Sequence, residues 1–257
     1  SRSSARLAAR ESRGKKLARP DGAHTPTDVN IWRSLGFGLV AVIACAGLRA
    51  QAPDVVLTRP GLIVISSVSG EVSTAVAGQR RPAKVNDRVR VDAVVTTGRK
   101  SLASLSFSNG VLLELGPDAE LEIEELLQAP FTGNAKPETM KEEPSVSRTR
   151  VRLLRGDLRM VVKPLKVSGG STFVVAVPAG NARVADGSFQ AMVRMTEVGI
   201  GMCAIELGRG SAEFELLGGA YVGVPAGRRL AFAIEVDRST GAVKIGEMPK
   251  EAPSPKK

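Results

Sequence analysis

Residues 85–116 read VNDRVRVDAVVTTGRKSLASLSFSNGVLLELG, and this stretch decides the fold class. Val89, Val91, Val94 and Val95 precede a turn at Thr97-Gly98. Leu105 and Phe107 then alternate with Ser104, Ser106 and Ser108, and Asn109-Gly110 leads into Val111, Leu113 and Leu115. Apolar and small polar residues alternating at period two describe strands with one buried face. Asn-Gly between two such runs is a strong hairpin signal, and a type I′ turn there requires positive φ at both central residues. The stretch predicts a β-hairpin with a turn ahead of it.

Working outward, 257 residues can bury a sizeable core in one or two domains. Valine recurs throughout, long helical apolar periods are lacking, and 27 glycines with 15 prolines suffice to punctuate many short strands. The expected class is all-β: a wound solenoid-like arrangement or a small sandwich of many short strands. Chemistry is limited by a single histidine, His24, one tryptophan, Trp32, and one tyrosine, Tyr221.

Half of the net charge of +10 lies in residues 1–33, where eight basic residues face three acidic ones. High basicity points to nucleic acid or anionic membrane, yet the body shows no basic helix and no basic–aromatic stripe of the single-strand-binding kind. No nucleic-acid partner is expected.

Residues 1–33 read as a disordered basic leader. The next charge-free run, Ser34–Leu48, falls short of the ~20 residues a helix needs to cross a bilayer. A basic flank, short apolar core and small-residue exit describe a signal peptide over 34–50. Three exits fit. Cleavage after Ala50 leaves Gln51 as the mature start (a cut after Ala46 suits the small-residue rule better but truncates the apolar core). Val42-Ile43-Ala44-Cys45 is also lipobox-like and would make Cys45 an acylated first residue; an uncleaved anchor is the third. Membrane association is expected only through this signal or lipid anchor.

In the body, strand-rich segments over 62–127 and 150–235 flank a proline-containing stretch, 128–149, readable as an insertion in one fold or a boundary between two domains. Residues 236–257 form a polar tail. A Gly, a polar residue and an apolar residue open successive predicted strands at Gly70-Glu71-Val72, Gly156-Asp157-Leu158, Gly187-Ser188-Phe189 and Gly210-Ser211-Ala212. Glycine at such corners permits backbone turns closed to other residues.

The order of these motifs resembles the FecR domain family of bacterial envelope proteins. It is carried by Gly70-Glu71-Val72, Asn86-Asp87, Thr97-Gly98, Leu105, Phe107, Asn109-Gly110 and Leu113. Past the insertion it continues through Leu154-Arg155-Gly156-Asp157-Leu158, Phe173-Val174-Val175, Pro178-Ala179-Gly180 and Val224-Pro225-Ala226-Gly227, covering about 62–235. Asp186-Gly187-Ser188 stands where the family often has Arg-Gly-Thr. The resemblance implies a periplasmic or cell-envelope β domain that senses or binds a protein partner and is not an enzyme. Residues 1–33 are too short for the cytoplasmic sigma-binding domain of the anti-sigma members. The expectation is therefore a stand-alone exported domain tied to protein–protein interaction or signal transduction. A structural or carbohydrate-associated envelope component and a membrane-anchored anti-sigma-type regulator are the alternatives.

No catalytic, metal or cofactor site is expected. Glu120, Glu122 and Glu124 lie at i, i+2, i+4 and read as one solvated strand face, with Glu125 beside them. Arg80-Arg81 reads as turn decoration. A Lys100–Ser101 couple lacks the usual histidine base, and Gly169-Gly170 and Gly218-Gly219 do not precede a helix that could cradle phosphate. Cys203, in an apolar alternating run, reads as a small buried hydrophobe.

Overall fold

The structure is a computed structural model and describes residues 57–132, 136–237 and 239–247. Strands β1 (Ile63–Ser69), β2 (Val72–Val76), β3 (Gln79–Pro82), β4 (Arg88–Val89) and β5 (Ala93–Thr97) come first. Then follow β6 (Leu102–Phe107), β7 (Leu112–Leu115), β8 (Glu120–Gln128), β9 (Ser147–Val162) and β10 (Thr172–Val177). The remainder are β11 (Gly180–Met195), β12 (Ile200–Leu216), β13 (Tyr221–Gly223), β14 (Arg228–Val236) and β15 (Val243–Glu247). The all-β expectation holds. The strands form an open mixed sheet in which β9 and β10 make the one parallel pair among the described residues.

That sheet is folded into two layers because β9, β11 and β12 each serve in both. The first half of β9 pairs with β8 and β10, and its second half with β7 and β11. One layer runs β3-β2-β5-β8-β9-β10-β11-β12-β13, and the other runs β4-β1-β6-β7-β9-β11-β12-β14-β15. Their inner faces meet. Phe107 on β6 packs edge-on to Phe173 on β10 at 6.2 Å, and Phe214 on β12 stacks on Phe232 of β14 at 5.3 Å. Of the two arrangements expected, the small sandwich is the nearer description.

The recurring Gly-polar-apolar triplets are expected at strand openings. In the second half they lie inside strands of 16 and 17 residues. Along β9 the buried positions are Ser147, Thr149, Val151 and Leu153, then Gly156, Leu158, Met160 and Val162. The phase slips by one residue between Leu153 and Gly156, and the pairing with β8 shifts register between Leu153 and Arg155. Without that slip, one half of the strand would turn its apolar face to solvent as the chain changes layers. The same slip occurs in β11 and β12 at a directly opposed pair, Gly187 and Gly210. Their φ values are 103° and 96°, and a Cβ on Gly187 would lie 1.9 Å from the Arg209 carbonyl oxygen. Only glycine fits this crossing.

The hairpin of 102–115 is present, with a different turn. Gly110 has φ 90°, but Asn109 is not among the positive-φ residues, so the turn is not type I′. The Gly110 N–H donates to the Phe107 carbonyl at 2.9 Å, closing a three-residue loop with a glycine bulge. Asn109 is spent elsewhere: fully buried, it donates from Nδ2 to Ser147 Oγ (3.1 Å) and Thr149 Oγ1 (3.0 Å) on β9. The true two-residue turn with both φ positive is Ala77-Gly78, at 49° and 77°, joining β2 to β3.

Candidate functional site

An open cleft of 680 Å³ lies on the second half of the fold. Its floor is Phe173 on β10, Val184 on β11 and Ala212 on β12, and its rim includes Val167, Val224 and Pro225. The glycine crossing creates the space, since Gly210 and Ser211 line one wall where β12 changes layers. Ser171, Ser211 and Arg183 in the cleft lining are committed to structure. The Ser171 hydroxyl accepts the Ser147 N–H at 3.2 Å, and the Ser211 hydroxyl donates to Asp186 Oδ1 at 2.6 Å. Arg183 pairs with Glu215 at 3.4 Å and lies 5.7 Å from the Tyr221 ring centroid. A largely apolar cleft with a few polar groups at its rim is suited to binding.

Behind this cleft lies a buried polar network. Glu143 is fully buried; it accepts the Ser147 hydroxyl at Oε1 and the Lys166 N–H at Oε2 (2.9 Å). Through Ser147 it joins Asn109, Thr149 and Ser171. Glu138, in the short 3-10 turn Pro137–Thr139, accepts the Ser106 hydroxyl at 2.9 Å. The proline-containing stretch is thus fastened to β6 and β9. Its mixed polar composition hid this, because a buried carboxylate with two partners looks no different in sequence from a solvated one.

The glutamates of β8 also differ from expectation. They do not simply face water: β9 sets a row of arginines beside them. Arg155 pairs with Glu120 at 3.0 Å, Arg150 with Glu124 at 2.5 Å, and Arg152 with both Glu122 (3.7 Å) and Glu124. The register of the two strands aligns the rows, so the acidic face is half of a cross-strand charge ladder.

Ser101 is buried, accepting the Glu71 N–H at 2.9 Å and donating to the Arg99 carbonyl at 3.1 Å, while Lys100 beside it is exposed. Its hydroxyl closes a turn. Cys203 is fully buried on β12, and burial pushes its thiol up to about 12, against a thiolate role. Gly169-Gly170 ends a 3-10 turn, and Gly218-Gly219 lies in the connection from β12 to β13. Among the described residues, no cluster of three or more His, Cys, Asp or Glu is arranged to hold a metal ion. Cys45, Ala50 and Gln51 lie outside the described residues.

Residues 93–220 match the protein family described as FecR protein. The chain belongs to the FecR domain family. The matched stretch runs from β5 to the end of the β12 connection, holds the hairpin, the charge ladder and all three bent strands, and contains most of the apolar cleft. FecR proteins are regulators associated with signal transduction. Two crystal structures of a candidate anti-sigma factor from Parabacteroides distasonis, at 2.50 and 1.65 Å resolution, are similar at 12% identity and a TM-score of 0.37. Each likeness covers 60% of this chain and 59% of the other, so this chain spans less than two thirds of that protein's length. No curated protein matches the sequence.

Proposed function

We propose that this chain is a non-enzymatic signalling regulator of the bacterial cell envelope whose FecR domain binds a protein partner through the 680 Å³ cleft of β10, β11 and β12. The observation that carries this reading is the FecR match over 93–220, which encloses the cleft apart from its Gly223–Ala226 rim. The chemistry agrees: the Ser171 and Ser211 hydroxyls are bonded to backbone and carboxylate, and the lining is mainly apolar. Export through the 34–50 segment would place the domain where an envelope partner could reach it.

Two measurements test this. Fractionation with N-terminal sequencing of the mature protein supports soluble export if the chain starts at Gln51, and a lipid anchor if it starts at acylated Cys45. An intact cytoplasmic chain refutes the envelope placement. Photo-crosslinking from Val167, which is 55% exposed on the cleft rim, is expected to trap a specific envelope protein. Loss of that product in Ala212→Arg, with an unchanged melting curve, places the contact in the cleft; crosslinks indifferent to this substitution refute it.

A further inference from the structure

The two layers end together at one open edge, and four arginines gather there. β3 is the last strand of one layer and β4 the last of the other; each pairs on one side only. Between them lies a cleft of 490 Å³ lined by Arg80, Arg81, Arg88 and Arg90, with Val76, Val89 and Ala93 beneath. No carboxylate lines it. The nearest acids along the chain, Asp87 and Asp92, lie outside the lining, and Asp87 accepts the Lys84 N–H at 2.9 Å. Arg81 donates only to Thr74 Oγ1, at 3.3 Å, and none of the four is ion-paired among the described residues. The arginines of β9 offer the contrast, since Arg150, Arg152 and Arg155 all meet glutamates. Four arginines in the lining of a cleft with an apolar floor and no carboxylate in that lining favour carboxylate ligands.

The register says what kind of molecule brings those carboxylates. The Ala83 N–H donates to the Val72 carbonyl, and from that bonded pair the alternation makes Thr74–Arg81 and Val76–Gln79 bonded pairs as well. Arg80, opposite Ala75, therefore turns its N–H and C=O away from β2, toward the free side of the edge. Pro82 ends the strand and limits pairing to this one residue. An extended peptide can bond Arg80 on both groups, set acidic side chains on the arginines and lay apolar ones on Val76 and Val89. A lipid headgroup or glycan has no backbone to match Arg80, and no aromatic side chain lines the cleft for base stacking.

We infer that the β3–β4 edge cleft binds a short, extended, acidic segment of a partner protein. The site lies almost wholly before residue 93, where the FecR match begins. The inference rests on the protein-partner reading above but uses a different surface.

The test titrates the full chain with a fluorescein-labelled hexapeptide of alternating glutamate and valine, read by anisotropy. Binding is expected to weaken roughly tenfold or more in Arg81→Gln/Arg88→Gln and to stay unchanged in Arg152→Gln/Arg155→Gln, which carries the same charge change on the ladder. Backbone N-methylation of the peptide is expected to weaken it further, and inorganic polyphosphate of equal charge to compete poorly. The proposal is overturned if the peptide does not bind, if both double variants lose affinity equally, or if polyphosphate competes as well as the unlabelled peptide. All four arginines are exposed, so matched melting curves are expected to keep the variants comparable; salt titration of the wild-type complex gives a readout that needs no variant. A partner crosslinked at Val167 and indifferent to the edge arginines would refute this inference while leaving the cleft reading intact.

Discussion

The two halves of the fold pass between its layers in different ways. In the first half the strands stop and restart: β1 gives way to β2 at Gly70, β5 to β6 across Gly98, and β7 to β8 at Gly116-Pro117. In the second half β9, β11 and β12 run straight through, slipping phase at Gly156 and at the Gly187–Gly210 crossing. A broken strand can place a corner in a loop, where neighbours can adjust. A continuous strand must make the turn while keeping ladder bonds on both sides, so its tolerance is set by backbone atoms that cannot move aside.

The sharpest way to break this contrast is substitution of the crossing glycine. Gly187→Ala places a Cβ against a carbonyl oxygen 1.9 Å away and is expected to cost more than about 4 kcal/mol, read as loss of a cooperative urea transition. Gly98→Ala, at an interrupted corner where the nearest atom is the Glu71 Cβ at 3.3 Å, should cost about 1 kcal/mol or less. Equal losses would refute the distinction. Next in size is Asn109→Ala, which unties the first-half hairpin from β9; leaving Ser147 and Thr149 without their donor is expected to cost about 2–3 kcal/mol, measured by denaturant unfolding.

Cys203 reports on the second half without altering it. Its buried thiol stays protonated up to about 12, whereas an unfolded chain releases the proton near the ordinary value of 9.0. A raised pKa means the stabilisation is fully present below about 9 and is lost as pH climbs toward 12. Thermal melts over that window should fall more steeply for the wild type than for Cys203→Ala, and thiol labelling at pH 8 should track global unfolding. Smallest is the charge ladder: Arg155→Gln removes a pair whose arginine side chain is 55% exposed, and its expected effect on Tm corresponds to less than about 1 kcal/mol.

Much of the fold was legible because strand alternation and turn residues are local signals. The hairpin, the acidic strand of β8 and the run from Phe173 to Val177 were all readable in this way. The bends were seen and misplaced. A glycine that opens a strand and one that lets a strand slip look alike in sequence; only pairing on both sides separates them. Asn109 misled for a related reason: Asn-Gly suggests a two-residue turn, but its side chain is drawn inward by partners on β9, far along the chain. The apolar cleft was not legible, since residues of three strands and a later turn assemble it. Arg80-Arg81 stood out only as a basic pair; Arg88 and Arg90 joined it through the meeting of two sheet edges.

The sharing of β9, β11 and β12 also bears on how the chain acquires its structure. Neither layer can finish its ladders until these strands are in place, and the β1–β6, β7–β9 and β9–β11 pairings join residues far apart in sequence. Loop closure must therefore precede most of the reward. Such a chain is expected to fold slowly, and until β9 has bent at Gly156 the apolar faces it will cover on both sides stand open to solvent and to other chains.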